Sequence, residues 1–277
     1  MTMSLYEVDI ALASYNGEEY ISEFLDSLCK QTFKNFRILV SDDGSYDKTL
    51  EVVKTYAYKL NIRILPNNER INRGAANNFL HIVSKSDADY LLFADQDDFW
   101  VPTKIEKNIS ALKALENSGG HRPAMIFSDL SVVNKNLEVI DISIFKKNKI
   151  TVTISNFRKN IEYSNDIFGC TIALNKHLCW LIIEKCKDPL MHDWWTASYC
   201  LLHQHLVGII DEPLVQYRQH ESNVVGIHSK KSLASKIYGF LRSPKKRLNG
   251  LLQLYKMNKN IGYKDSFFIF LMKKCFY

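Results

Sequence analysis

Phe93-Ala94-Asp95-Gln96-Asp97-Asp98-Phe99-Trp100 is the stretch around which the rest of the chain is organised. The apolar run Tyr90-Leu91-Leu92-Phe93 leading into it has the length and composition of a buried strand. Three carboxylates within four positions repel one another, more strongly where water is withdrawn. A divalent metal carrying a phosphorylated ligand offsets that repulsion, because Mg²⁺ and Mn²⁺ take oxygen ligands from one or two carboxylates and from substrate phosphates. Taken alone, the stretch also reads as a solvated acidic turn closing a strand. The segments around it favour the metal.

Working outward, strand and helix alternate. Val8–Ala13, Phe36–Val40, Ile62–Leu65, Tyr90–Ala94 and Met125–Ser128 read as strands. Between them, helices are predicted from Ile21 to near Gln31, over 47–58 with Asp47 as N-cap, over 73–84, and over 104–115 after Pro102. Such alternation predicts an α/β fold, a mostly parallel sheet flanked by helices. Polar loops at Ser14–Asn16, Asp42–Ser45 and Asp95–Asp98 then share the carboxyl edge of the sheet, where open α/β sheets bind ligands. Residues 134–165 show no clear pattern. Beyond them come a strand over 168–174, a helix over 179–185, a helix opening at His192-Asp193-Trp194-Trp195, and a short strand over 207–210.

The 277 residues suit one α/β domain with an appendage. Six cysteines without a C-x-x-C pair read as reduced core thiols in a cytosolic setting, with no zinc site. The N-terminus lacks a signal peptide's basic start and apolar stretch, and no segment reaches the roughly 20 apolar residues that span a bilayer. Net charge is +6 but uneven. From Lys230 onward 12 Lys/Arg face one acid, Asp265, a net of +11; the first 229 residues hold 24 basic and 29 acidic side chains, a net of −5. The chain therefore divides into a body, 1–228, and a basic helical extension, 229–277.

Neither G-x-x-x-x-G-K-[ST] nor G-x-G-x-x-G occurs, so phosphates need a metal to hold them. Asp42 ends the second strand, as an acceptor for a pyrimidine N–H or ribose hydroxyl, or as a turn residue. Tyr15 on the adjacent loop is a base-stacking ring or a packed aromatic. Asp193 is the candidate general base, with N-capping as the alternative, and Trp194-Trp195 offers a wall for a sugar face. His220 is a candidate imidazole ligand to the same metal, or a structural histidine.

Together, Ala13-Ser14-Tyr15-Asn16-Gly17, Ser41-Asp42-Asp43-Gly44-Ser45, Asn72-Arg73-Gly74 with Asn78, and Asp95-Gln96-Asp97-Asp98-Phe99-Trp100 resemble glycosyltransferase family 2. Gly169-Cys170-Thr171, Met191-His192-Asp193-Trp194-Trp195 and Tyr217-Arg218-Gln219-His220 continue the match, which covers roughly residues 8 to 225. The chain is most similar to the bacterial rhamnosyltransferase-like branch that builds surface polysaccharide. The resemblance implies the nucleotide-diphospho-sugar transferase (GT-A) fold and an inverting hexose transfer from a dTDP- or UDP-sugar to a saccharide acceptor. It places Tyr15 and Asp42 on the donor's base, Asp95 on its ribose, Asp97 and His220 on Mn²⁺ or Mg²⁺, and Asp193 as base. Arg73, Gly74, Asn78, Gln96 and Gly169 complete the donor side, with Trp194 and Trp195 on the acceptor side. Arg73 stands where the family often has lysine.

A sugar-1-phosphate nucleotidyltransferase is the enzymatic alternative, but its Gly-rich loop bearing Arg and Lys is missing. A processive synthase would need a Gln-x-x-Arg-Trp motif and membrane spans. A non-catalytic nucleotide-sugar-binding protein would have no use for Asp193. In the basic extension, lysines and arginines alternate with leucines and aromatics, as in an amphipathic hairpin on an anionic membrane; the alternative is a basic face packed on the body. A peripheral enzyme on the cytoplasmic face of the membrane, acting on a lipid-linked acceptor, is therefore expected. Nucleic acid is not an expected partner of an acidic body.

Overall fold

The computed structural model describes residues 5–67, 71–187, 189–220 and 244–276. Nine strands form one sheet in the order β3-β2-β1-β4-β8-β6-β9-β5, with β7 on β6. The strands are β1 Val8–Ser14, β2 Phe36–Asp42, β3 Ile62–Ile64, β4 Tyr90–Asp95, β5 Phe99–Trp100, β6 Ala124–Val133, β7 Val139–Asp141, β8 Ile172–Asn175 and β9 Leu206–Arg218. The helices are α1 Ile21–Cys29, α2 Thr49–Thr55, α3 Ala75–Val83, α4 Lys104–Gly119, α5 Ile144–Lys147, α6 Ile154–Asn160, α7 Lys176–Lys185, α8 His192–Leu202, α9 Pro244–Ile261 and α10 Phe267–Phe276.

The alternation read from the sequence is present. β1 is buried along nearly its whole length, as a strand covered on both faces must be. α1 turns Ile21, Phe24, Leu25 and Leu28 into the core on one stripe. Burying such side chains contributes about 2 kcal/mol each. β1 pairs in parallel with both β2 and β4, and the register aligns Ala13 with Ser41 and Asp95. Three polar loops are thereby brought to one level of one rim.

The polarity is more mixed than the alternation predicts. β8 lies antiparallel to both β4 and β6. The intervening chain, through β7, α5 and α6, returns to the rim first, so β8 starts there, directly after a 3-10 turn at Gly169–Thr171. β9 is thirteen residues long, where a short strand was expected. Pro213 suggests a break, but it sits at a register shift against Asp129, where a missing N–H is tolerated. The strand therefore continues, pairs with β5 through Val215 and Gln216, and delivers Arg218 beside the acidic turn. A further correction concerns Asp47. Lys48 is the N-cap of α2, and Asp47 accepts from the backbone N–H groups of Thr49 and Glu18.

Asp129, buried within β6, accepts from Leu130 N (2.8 Å), Phe145 N (3.1 Å) and the Ser143 hydroxyl, which fixes the start of α5. α9 and α10 pack on the body through Leu254, Met257, Ile261 and Phe270. The proposed boundary at 228/229, with Lys230, Lys231, Lys236 and Arg242, lies outside the described residues. Among the described residues no helix is long and apolar enough to cross a membrane.

Candidate active site

The rim at the carboxyl ends of β1, β2 and β4 is stitched together by its own loops. Gln96 accepts from Tyr15 N at 3.0 Å and returns a bond to Tyr15 O at 2.9 Å. A Cβ on Gly17 would fall 2.2 Å from Gln96 Oε1, so only glycine allows this approach. Asp42 accepts from the Ser14 hydroxyl (3.0 Å), Gly44 N (3.1 Å), and Ser45 through N (2.8 Å) and hydroxyl (2.6 Å). It also lines a pocket of about 210 Å³ with Gly44, Ser45, Leu65 and Asn67. The Tyr15 ring is exposed and meets Tyr46 edge-on at 6.2 Å.

Asp43 was passed over in the sequence reading. It accepts from Arg73 N at 2.7 Å and Gly74 N at 2.8 Å, tying the start of α3 to the end of β2. Gly74 has φ 75°, a left-handed conformation that suits glycine. Asn78 is buried, with Nδ2 donating to Ser41 O (2.7 Å) and Oδ1 accepting from the Ser41 hydroxyl (2.6 Å). With both ends of its amide engaged, Asn78 ties α3 to β2.

The acidic turn spreads its three carboxylates into different surroundings. His220 Nε2 lies 2.8 Å from Asp97 Oδ2, with both side chains partly accessible. Asp98 is fully buried; its Oδ1 accepts from Arg218 N at 3.3 Å, and its Oδ2 has no hydrogen-bond partner among the described residues. Asp95, Asp98 and Cys170 offer ligand atoms within 4.8 Å of one another. Loss of water, then the charges of Asp97 and Asp193, push Asp95 up to about 8. Burial beside Asp97 and Asp95 likewise raises Asp98. A carboxylate facing an imidazole, with a second buried carboxylate oxygen unpaired, fits a hard divalent cation such as Mn²⁺.

Two buried cations support this turn, and neither had been singled out. The Arg218 guanidinium, 0% exposed, donates to Asp97 O at 2.8 Å, to Lys135 O and to the Glu23 carboxylate. It lies 4.6 Å from the Tyr20 ring centroid, and that ring packs 4.8 Å from His220. Lys104 is equally buried, with its ammonium over Trp100 and no hydrogen-bond partner among the described residues. Burial pushes Lys104 down to about 8. The sequence signals are slight: Lys104 follows Pro102 by two residues, and Arg218 stands within the Tyr217-Arg218-Gln219-His220 motif without a role assigned to it.

Asp193 occupies the first turn of α8 and is 6% exposed. Its Oδ1 accepts from Trp194 N at 2.7 Å and its Oδ2 from Asn165 Nδ2 at 3.3 Å, with a further backbone bond from Gly169. Burial pushes it up to about 6 against those donors. Met191 is the N-cap of α8, so Asp193 is not the cap. A Cβ on Gly169 would stand 3.0 Å from His192 Nε2 and 3.4 Å from Asp193 Cβ, so any larger residue at this position in the 169–171 turn would press these side chains back by a few tenths of an ångström. His192 is stacked 3.9 Å from Phe79 and is driven by burial to about 3, hence neutral.

The paired aromatic wall is corrected. Trp195 is 3% exposed and stacks on Tyr199 at 4.8 Å, leaving no face for a saccharide. Trp194 is half-buried and donates Nε1 to Ile161 O at 2.5 Å.

Residues 9–176 match the model for Glycosyl transferase family 2. The chain is 28% identical over 246 residues to the dTDP-rhamnosyl transferase RfbG of Shigella flexneri, covering 84% of this chain and 79% of that one. Other curated relatives align over less than half of their own length. Among solved structures, Staphylococcus aureus TarS 1–349 in complex with UDP-GlcNAc gives a TM-score of 0.59 at 23% identity, over 78% of this chain and 60% of that one. The mannosyltransferase PcManGT from Pyrobaculum calidifontis, in complex with GDP-Man and Mn²⁺, gives 0.57 at 15% identity, over 97% and 69%. The sheet and its flanking helices are therefore the GT-A-type arrangement of those neighbours.

Proposed function

The chain belongs to glycosyl transferase family 2, and from that premise we propose an inverting hexose transfer from a nucleotide-diphosphate sugar to a saccharide hydroxyl in bacterial surface-polysaccharide synthesis. The observation that supports this reading is the facing pair His220 Nε2 and Asp97 Oδ2, 2.8 Å apart at the turn that follows Asp95, with the Asp193 charge close enough to help raise Asp95. That proximity supports setting the metal ligand and the base in one site, as a single displacement requires.

In this reading Tyr15 and the Asp42 pocket take the nucleoside, and Asp95 the ribose. Arg73 faces the diphosphate. Asp97 and His220 would hold Mn²⁺ or Mg²⁺, which would supply charge neutralisation to a departing diphosphate. Asp193, deprotonated, accepts the acceptor's hydroxyl proton as the new C–O bond forms at the anomeric carbon. The bond to the diphosphate breaks on the opposite face, and nucleoside diphosphate leaves. Gly169 keeps the wall beside Asp193 thin enough for an acceptor oxygen to approach.

The similarity to RfbG supports dTDP-rhamnose as donor, and the likeness to a UDP-GlcNAc complex keeps UDP-sugars in view. Incubation with dTDP-rhamnose, UDP-glucose and UDP-galactose plus Mn²⁺ tests both the class and the donor. Nucleoside diphosphate should be released from one of them. Pyrophosphate-forming chemistry would instead indicate a nucleotidyltransferase.

In the same proposal the C-terminal part docks on anionic membrane through the exposed side of α10 and brings the site to a lipid-linked acceptor on the cytoplasmic face. Phe268 (72% exposed), Ile269 and Met272 project from α10 near Lys273. Each basic residue near such a surface contributes roughly 1 kcal/mol. Vesicles containing phosphatidylserine should retain the full chain and release one ending at residue 229.

A further inference from the structure

The loop over 161–165, between α6 and the 169–171 turn, hangs from the C-terminal helices by its backbone. Asn258 of α9, 1% exposed, donates its side-chain amide to Glu162 O at 2.8 Å. Lys274 of α10 donates to Tyr163 O. The Tyr163 hydroxyl donates to Asp265 at 2.6 Å, and Lys273 reaches the same carboxylate at 2.8 Å. The Tyr163 ring packs 5.8 Å from that of Phe270, which is fully buried. On the other side Trp194 grips Ile161 O, and the Lys274 ammonium stands 5.2 Å from the Trp194 ring centroid.

What this loop carries is Asn165. Ile167 N donates to Asn165 Oδ1 at 3.0 Å, which turns the amide NH₂ toward Asp193 Oδ2. A five-residue irregular segment has little stability of its own, and carbonyls tied to two helices are what limit its movement. A carboxylate displaced by about 1 Å can lose about a hundredfold in rate.

We infer that α9 and α10 are a brace for the general base: through Asn258 and Lys274 they hold the 161–165 loop, and the loop presents Asn165 to Asp193. This rests on the reading of Asp193 as base. Asn165, Asn258 and Lys274 are positioning residues, and none of them touches the nucleotide pocket.

The test uses the full chain with Asn165→Ala, Lys274→Met, Lys274→Arg and Asn258→Leu. Hydrogen exchange over 161–168 is measured first, because it needs no donor. Exchange should rise in Lys274→Met and Asn258→Leu, return to wild type in Lys274→Arg, and stay unchanged in β1 and β2. With the donor from the panel above, kcat should fall about tenfold in Asn165→Ala and Lys274→Met. Binding of UDP and dTDP in Mn²⁺ should be unchanged. The double variant Asn165→Ala/Lys274→Met should be no slower than Asn165→Ala, since both act through one bond. Unchanged exchange in both helix variants, full kcat in Asn165→Ala, or additive losses in the double variant would each overturn the brace. Asp193→Asn keeps the two ideas apart. If it retains turnover, the base assignment fails; if it loses turnover while Asn165→Ala does not, only the brace fails.

Discussion

His220 Nε2 and Asp97 Oδ2 stand 2.8 Å apart across 123 residues of chain. The length of β9 makes this possible, since the strand runs past Pro213 to end against β5 and the acidic turn. Asp97→Ala and His220→Ala should each weaken Mn²⁺ binding, read by titration of the ion in the presence of UDP or dTDP. Turnover should fall by one to several orders of magnitude. Retained Mn²⁺ affinity in both variants would remove the pair as the metal's ligands.

Asp193→Asn should lower kcat by roughly 10²- to 10⁴-fold, the usual contribution of a positioned general base. Far-UV circular dichroism should be unchanged. A wild-type rate in the variant would reassign the base.

The pH dependence has a definite sign. Burial raises Asp193 to about 6, and the base works only when deprotonated, so kcat should decline as pH falls through about 6. Stability runs the other way. A carboxyl raised above its unfolded value of 3.8 contributes fully below that value, and the contribution is lost as pH rises through about 6. Thermal melts of wild type and Asp193→Asn should therefore separate in the variant's favour between pH 5 and pH 8, with pH 5 and pH 8 standing about one to two units on either side of the titration. Parallel melts across that range would contradict the burial argument.

Gly169→Ala places a methyl 3.0 Å from His192 Nε2 and 3.4 Å from the side chain of Asp193. Overpacking of this kind costs about 1–3 kcal/mol. Denaturant midpoints should fall, and kcat should fall further than midpoint alone explains, because the atoms displaced border the base.

Arg218→Lys keeps the charge and loses the planar fork that spans Asp97 O, Lys135 O and Glu23. The variant should bind Mn²⁺ more weakly than wild type, because the guanidinium holds the Asp97 backbone in place. Equal Mn²⁺ affinity would confine Arg218 to a packing role.

The rim was legible in the sequence where the chain is local. Three loops following three parallel strands could be placed from β1, β2 and β4 alone, because apolar runs and polar breaks report burial directly. What lay hidden depends on distant pairings. The Trp194-Trp195 pair reads as a wall for a sugar face because it follows Asp193, yet helical phase turns Trp195 inward against Tyr199. Asn165 sits in a stretch with neither period, so nothing local marks it as a partner of Asp193. Lys104 and Arg218 carry charges that sequence arguments place on the surface; inside, Lys104 lies over the Trp100 ring, and Arg218 is held by two backbone carbonyls and the distant Glu23 carboxylate.

β8 has a further consequence. It is four residues long and threads between two strands that both run opposite to it, with Leu174 facing Leu91 on one side and Met125 on the other. Inserting or deleting a single residue there would exchange its inward and outward side chains and drag the glycine turn off the catalytic carboxylate. A length change in this short segment should consequently cost both stability and turnover, and few sites in the chain should tolerate one less.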